Sequence, residues 1–268
     1  MKIFISTSNS TMHILPIFCF LFNKYWPNKE VNILGFKKPD FRLAENFNFI
    51  SMSEFQENGA TGWTKYLRSY FNSLEESHFV FGLDDSLIVR PVEVGIFNDL
   101  IALAYKNPEI GRIDLTPGME WATVRRGYLK YIGGKDNYKI IECKHCNTGH
   151  LNYRLSAAMS IWNKDYFLKF MRQDRTPWEW ETVGSLEAER DNRRVMGTGE
   201  AWCIRKTEGL SSSQLPGKIN SYHMRQEDKD YIVNNGLIID QQKIFGDFRH
   251  EFPEWEHVDE WETRVYGE

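Results

Sequence analysis

One apolar run that ends abruptly in two acids constrains this chain most: Phe79 to Leu83, followed by Asp84 and Asp85. Strands that are covered on both faces are almost continuously apolar, so the run predicts a buried strand of an α/β sheet. Asp84 and Asp85 then lie at the carboxyl end of that strand, where open α/β sheets bind their ligands. Unpaired acids are costly to desolvate, and Mg²⁺ or Mn²⁺ would neutralise them. An ordinary turn explains the same residues, so both interpretations stay open from this feature.

Strands and helices are predicted to alternate along the chain. The helix from Trp63 to Leu74, with Thr61 as its cap, is the clearest, because its apolar residues recur every three or four positions. The other predicted elements are strands at Lys2–Ser6, Val31–Phe36, Asn48–Met52, Ile110–Leu115, Tyr153–Trp162 and Ala201–Ile204, a hairpin over Gly127–Cys143, and helices over 17–25, 93–105, 163–171 and 176–193. This order predicts an α/β, Rossmann-like fold with a mostly parallel central sheet flanked by helices.

The 268 residues are expected to form a single domain. Residues 1–115 are interpreted as one half, and residues 116–268 as a second half with a C-terminal extension. With 41% hydrophobic and 26% charged residues, the composition is that of an ordinary globular protein. A net charge of −4 without a basic run argues against a nucleic-acid partner.

Four cysteines are too few for a disulfide scaffold. The longest apolar run, Ile14 to Phe22, contains Pro16 and is too short to cross a bilayer. No small-residue cleavage site follows that run, so a signal peptide is not predicted. A soluble, cytoplasmic protein without a transmembrane segment is therefore expected.

A second motif interleaves two acids with two indoles between Thr176 and Glu181. Thr176 followed by proline, with Glu179 three positions on, is the pattern of a helix capping box, which accounts for Glu179 without any function. Glu181 lies beyond the cap and has no such local duty. A carboxylate among indole faces is partly desolvated, which raises its pKa toward that of a general base.

Two histidine-containing motifs are weaker. Cys143, His145, Cys146 and His150 offer four metal-ligand side chains within eight residues, but no second pair follows at the spacing of a zinc finger or ribbon. A lone histidine such as His223 is more often structural than a ligand.

The order of elements and the motif Phe81–Ser86, followed by Val89–Val92, resemble the GT-A class of nucleotide-sugar-dependent glycosyltransferases. The later stretches Ser156–Lys164 and Thr176–Glu181 look like the acceptor half of a bacterial and viral family of such enzymes. The resemblance covers roughly residues 1–223. One departure is that Leu83 stands where a strict Asp-x-Asp motif has an acid.

The resemblance implies transfer of a sugar from a nucleotide-diphosphate donor to a hydroxyl acceptor, a saccharide or another hydroxyl compound, with Mn²⁺ or Mg²⁺ assisting. Asp85 and His223 would hold the metal. Glu181, with Glu179 second, would be the catalytic base. The other implied contacts are Thr7, Ser8, Asn9, Lys65, Arg68 and Asp84 for the donor, with Asp84 facing its ribose, and Trp162, Trp178 and Trp180 as the acceptor platform.

Two alternatives stay open. A nucleotidyltransferase shares this kind of fold and acidic site, although the loop from Thr7 to Ser10 has neither the glycine nor the basic residue of a phosphate loop. A non-catalytic carbohydrate-binding relative would keep the aromatic platform and tolerate the imperfect acidic motif.

Overall fold

The computed structural model describes residues 1–53, 62–119, 129–135, 138–145, 153–172, 175–199, 203–204, 206–210, 218–220, 224–237 and 245–246. Its strands are β1 (Ile3–Ser6), β2 (Val31–Gly35), β3 (Phe47–Ser51), β4 (His78–Leu83), β5 (Ser86–Ile88), β6 (Ile110–Asp114), β7 (Leu129–Lys135), β8 (Tyr138–Cys143), β9 (Ser160–Asn163), β10 (Arg194–Gly199), β11 (Lys206–Leu210), β12 (Lys218–Asn220) and β13 (Phe245–Gly246). Its helices are α1 (Leu15–Tyr25), α2 (Trp63–Asn72), α3 (Val94–Lys106), α4 (Lys164–Phe170), α5 (Pro177–Ala188) and α6 (Gln226–Asn234).

A nine-stranded sheet organises the fold, in the order β3-β2-β1-β4-β9-β6-β10-β8-β7. β9 runs antiparallel to both β4 and β6, and β8 runs antiparallel to both β7 and β10. The remaining pairings are parallel, so seven of these nine strands point the same way. The predicted α/β class with a mostly parallel sheet is confirmed. Strands from both halves of the chain share this sheet.

The sheet is buried on both faces because the side chains of β4 alternate between two cores. Phe79 and Phe81 belong to a core on the side of α2, α4 and α5, whereas Val80 belongs to the core on the side of α1 and α3. All three side chains are fully buried. This burial accounts for the continuous apolar run in the sequence.

The carboxyl ends of β1, β4, β6 and β10 meet at one edge of the sheet, which we call the carboxyl edge. Because β9 is antiparallel, it begins at this edge, and the residues that precede Ser160 lie there as well. After the acid pair, the chain turns away from the large sheet. The next strand, β5, pairs with β11 in a second, four-stranded sheet that also contains β12 and β13. The described residues contain no helix that is long and apolar enough to span a bilayer.

Several predicted boundaries are corrected by the structure. The strand predicted from Tyr153 begins only at Ser160, because Tyr153, Leu155 and Ala157 hydrogen-bond to side chains of β6 and α5 instead of a neighbouring strand. Helix α5 ends at Ala188, five residues early, where Asp191 accepts a bond from the backbone N–H of Arg193. Cys203 and Ile204 are not in a strand.

The other boundary predictions have mixed outcomes. The predicted hairpin is present, and the pairing of Lys135 with Tyr138 leaves two residues between its strands. The cap position of α2 is Gly62, whose φ of 88° suits glycine. Thr61, Ala201 and the C-terminal residues from Glu251 lie outside the described residues.

Candidate active site

The acid pair forms the two-residue turn between β4 and β5, at the carboxyl edge. Asp84 is buried, with 3% of its surface exposed, and its Oδ2 accepts a hydrogen bond of 2.6 Å from the Thr7 hydroxyl. Asp85 is half-buried. The turn interpretation is therefore confirmed, and the metal interpretation stays a prediction for a turn that lies where α/β sheets bind ligands.

Burial disfavours the charged form of the Asp84 carboxyl. Burial, reinforced by the nearby charge of Asp85, raises the pKa of Asp84 from its ordinary 3.8 to about 8, although hydrogen bonds from Thr7 and Thr11 oppose the shift. The structure therefore concentrates unfavourable negative charge at this turn, which a cation would relieve.

We expect Asp84→Asn to stabilise the protein in a pH-dependent way. Since the folded carboxyl binds its proton more tightly than the unfolded one, Asp84 destabilises the fold as the pH rises from about 4 toward about 8. Asparagine still accepts the Thr7 bond and carries no charge. Melting curves in EDTA should show a gain of several kcal/mol at pH 8 and little change at pH 4, because each unit of pKa shift corresponds to about 1.4 kcal/mol. An equal gain at both pH values would contradict the assignment of a raised pKa.

The predicted donor loop follows β1 and adjoins the acid pair. Thr7 is itself buried and its hydroxyl donates to Asp84, so Thr7 helps to orient the Asp84 side chain. Ser8 is half-buried and bonds to Thr11, and Asn9 Oδ1 accepts from the backbone N–H of Lys37. The predicted contact of Asp84 with a ribose is corrected, because its carboxylate is buried against Thr7.

Lys65 and Arg68, the two basic residues predicted to contact the donor, have different surroundings in the structure. Helix α2 begins at the carboxyl edge, where the Trp63 indole N–H donates to the Ser6 hydroxyl at 3.0 Å. Lys65 is exposed in the first turn of this helix, so its donor role stays a prediction. The Arg68 guanidinium instead donates to the carbonyls that end α4, including that of Met171 at 3.0 Å, which corrects its placement beside the nucleotide.

Glu181 is brought to the carboxyl edge by helix α5. Its Oε1 accepts a hydrogen bond of 2.5 Å from the backbone N–H of Ala157, in the segment that leads into β9. Burial raises the pKa of Glu181, while the bonds from Ala157 and Ser156 and the positive charge of Arg112 limit the rise. A carboxylate with a raised pKa and a fixed orientation has the properties of a general base.

Glu179, unlike Glu181, is part of the N-terminal cap of helix α5. Its carboxylate accepts from the Thr176 backbone N–H at 2.9 Å, and its own N–H donates to the Thr176 hydroxyl at 3.1 Å. The capping box predicted from the sequence is therefore present, and the same hydrogen bonds lower the pKa of Glu179. A lowered pKa makes a carboxylate a weaker base, so the geometry favours Glu181 for that role.

The three predicted platform tryptophans do not share a surface. Trp162 and Trp180 are each 0% exposed and pack against each other with ring centroids 5.4 Å apart. Neither ring has a free face on which a sugar could stack, so their assignment to the acceptor platform is corrected. Trp178 is 66% exposed and remains a candidate.

Alanine substitutions should separate these roles. Trp180→Ala leaves a large cavity between α5 and the sheet, and we expect a loss of about 3–5 kcal/mol in the free energy of unfolding. Trp178→Ala, on the same helix, should change it by less than about 0.5 kcal/mol. Urea unfolding followed by tryptophan fluorescence measures both. Equal losses would contradict the observed difference in burial.

The predicted metal site is only partly described. Asp85 lies beside Asp84 at the turn, whereas His223 is outside the described residues. Within the described ranges, no group of three or more histidine, cysteine or acidic side chains is arranged to hold an ion. The half-buried carboxylate of Asp85 nevertheless fits Mg²⁺ or Mn²⁺, since Mg²⁺ commonly binds through one or two carboxylates and completes its shell with water and substrate phosphates.

The second candidate metal motif, from Cys143 to His150, is also only partly described by the structure. Cys143 is a buried thiol, whose pKa is raised by burial to about 11, and His145 contacts Glu189. Cys146 and His150 lie outside the described residues, so the predicted grouping stays a prediction.

Sequence reasoning missed a buried charged pair on β6. Arg112 and Asp114 are each 1% exposed, and Arg112 Nη2 lies 2.7 Å from Asp114 Oδ2. Asp114 also accepts from the backbone N–H and hydroxyl of Thr116, both at 2.8 Å. The sequence did contain an indication of this pair. Side chains alternate between the two faces of a strand, so Arg112 and Asp114 lie on one face of Ile110–Leu115, a strand that was predicted to be buried.

No family model and no curated protein sequence matches the chain. Among solved structures, S. aureus TarS has 14% identity and a TM-score of 0.43, covering 76% of this chain and 60% of that chain. Galactosyltransferase LgtC, solved with donor and acceptor sugar analogues, has 11% identity and a TM-score of 0.37, covering 74% and 73%. A CMP:2-keto-3-deoxy-manno-octonic acid synthetase, complexed with CTP, has 10% identity and a TM-score of 0.38, covering 73% and 88%. Because these scores lie below 0.5, we base the function on this chain's own residues.

Proposed function

We propose that this protein is a glycosyltransferase that moves a sugar from a nucleotide-diphosphate donor to a hydroxyl acceptor, such as a saccharide. One observation carries the proposal: a carboxylate suited to general-base catalysis lies at the same sheet edge as the acid pair. Gly82, two residues before Asp84, lies against Met159, and Ala157, two residues before Met159, binds Glu181. A base and an anion-neutralising site on one edge are what transfer from a nucleotide sugar needs.

On the donor side, the loop after β1 would contact the nucleotide through Ser8 and Asn9. Thr7 would hold the turn in place through Asp84. Lys65, exposed in the first turn of α2, would meet a negatively charged donor.

Asp85, with His223 as a second ligand, would hold Mg²⁺ or Mn²⁺. The ion, when bound, supplies positive charge that stabilises the departing nucleoside diphosphate. The raised pKa of Asp84 supports a cation at this turn, because the charge of Asp85 contributes to that shift.

On the acceptor side, Glu181 would take the proton of the attacking hydroxyl as its oxygen bonds to the sugar carbon. The bond from that carbon to the diphosphate oxygen breaks, and the nucleoside diphosphate leaves. In an inverting reaction a single base of this kind suffices. Trp178, exposed on the same helix, would stack against an acceptor sugar ring.

Binding and product analysis test the proposal against its alternatives. Any nucleotide sugar that binds the native state raises the melting temperature, so UDP- and GDP-sugars are screened with and without Mn²⁺. A glycosyltransferase then releases nucleoside diphosphate, whereas a nucleotidyltransferase supplied with a nucleoside triphosphate and a sugar phosphate releases pyrophosphate. A protein that binds saccharides and ignores every nucleotide would be the carbohydrate-binding alternative, which is already weakened by the burial of Trp162 and Trp180.

A further inference from the structure

Arg112 makes an unusual set of contacts for a buried arginine. Its Nε donates to the Ser160 hydroxyl at 3.0 Å, and its Nη1 donates to the backbone carbonyls of Tyr153 at 3.0 Å and Arg154 at 3.3 Å. Its Nη2 pairs with Asp114 at 2.7 Å. A single guanidinium thus binds both ends of the segment 153–160, which leads into β9.

This segment is held in a conformation that its own residues do not favour. Tyr153 has φ of 46°, in the left-handed region that is uncommon for residues other than glycine. Such a backbone conformation is strained and persists only where its surroundings hold it. The bond from Arg112 to the Tyr153 carbonyl is one of the contacts that hold it.

Helix α5 holds the same segment from the other side. The Leu155 backbone N–H donates to the Ser185 hydroxyl at 2.9 Å, and that hydroxyl lies 3.1 Å from the Leu155 carbonyl. The Ala157 N–H then donates to Glu181, one helical turn from Ser185. The segment is therefore a bridge between the guanidinium of Arg112 and the carboxylate of Glu181.

We propose that Arg112 is a positioning residue for Glu181, acting through the segment 153–160. The expected effect on catalysis rests on the proposed function, whereas the expected effect of Arg112 on the conformation of the segment does not. Arg112 fixes the ends of the segment, and the segment fixes the Ala157 N–H that orients the carboxylate. Among the residues that the structure describes, the positive charges of Arg112 on β6 and Lys206 on β11 act on Glu181 and lower its pKa.

Arg112→Lys tests this inference. Lysine retains the positive charge beside Asp114 and loses the planar fork that reaches Ser160 and the two carbonyls at once. Arg175→Lys is the matched control, because the hydrogen bonds of Arg175 go to Glu187 on the same helix and to Thr64, and not to the segment.

Two measurements are compared in these variants. Hydrogen exchange of the Ala157 amide should become at least about tenfold faster in Arg112→Lys and stay unchanged in Arg175→Lys. In a transfer assay, kcat should fall by about 10- to 100-fold with the donor KM within about twofold, since misplacing a catalytic group by an ångström has effects of this size. A purely structural role would accelerate exchange across α4 and α5 together.

The outcomes separate the inference from the proposed function. Unchanged Ala157 exchange in folded Arg112→Lys overturns the inference, whatever the activity. Faster Ala157 exchange with a normal kcat would mean that Arg112 holds the segment 153–160 in place but that this has no effect on catalysis. If the wild type transfers no sugar from any donor, the proposed function fails while the exchange experiment still decides the positioning. If Arg112→Lys does not fold, it is replaced by Ser160→Ala, which removes one acceptor of Arg112 together with the bond from the hydroxyl to the Ala158 carbonyl: unchanged Ala157 exchange there overturns the inference.

Discussion

Replacing Glu181 with glutamine is expected to lower kcat by about 10²- to 10⁴-fold, the range typical of losing a general base. Glutamine has the same shape, and its carbonyl oxygen can still accept the bond from the Ala157 N–H. The segment before β9 should therefore keep its place, and donor binding, measured by thermal shift, should be unchanged. Single-turnover transfer measurements at saturating donor give the chemical rate directly.

The matched control is Glu179→Gln, two residues away on the same helix. Glu179 lies in the capping box and has a lowered pKa, so its substitution should leave kcat nearly unchanged. In the wild type the rate should fall on the acid side as Glu181 becomes protonated, at a pH above the usual range for glutamate, because burial raises its pKa. An unaltered rate in Glu181→Gln, or a larger loss in Glu179→Gln, would refute the assignment of the base.

The fold was accessible from the sequence wherever one physical pattern dominates. The apolar run from Phe79 to Leu83 predicted β4 because both faces of that strand are covered by helices. The capping box at Thr176 and Glu179 was equally clear, since its hydrogen bonds join residues three positions apart. The segment 153–159 was misread as strand, because contacts with distant side chains decide its conformation.

The candidate site was only partly accessible for the same reason. Trp178 and Trp180 are two positions apart on a helix and so point about 200° apart, which means that they could never form one platform with both rings exposed. Periodicity does not say which of the two faces the core, and the structure buries Trp180. The bond from Arg112 to the Tyr153 carbonyl joins residues 41 positions apart in the chain, so no local pattern predicts it.

The second large effect is expected at the acid pair. Asp85→Asn should reduce transfer by roughly a thousandfold or more, because the proposed ion stabilises the leaving group by several kcal/mol. Asparagine is nearly the same size and keeps turn propensity, so the β4–β5 turn should persist. Removing the charge of Asp85 should also lower the pKa of Asp84, because that charge contributes to its rise.

Asp84→Asn is the control that distinguishes the loss of the proposed metal ligand, Asp85, from the loss of the acid beside it. Asp84 points at Thr7 and is buried, so its substitution should affect Mn²⁺ activation much less than Asp85→Asn does. Transfer rates are measured across a Mn²⁺ titration, with circular dichroism to verify the fold. If Asp85 is the ligand, its variant stays inactive at all Mn²⁺ concentrations or needs far more of the ion. A wild-type Mn²⁺ response in Asp85→Asn would place the cation elsewhere and leave the acid pair as a structural turn.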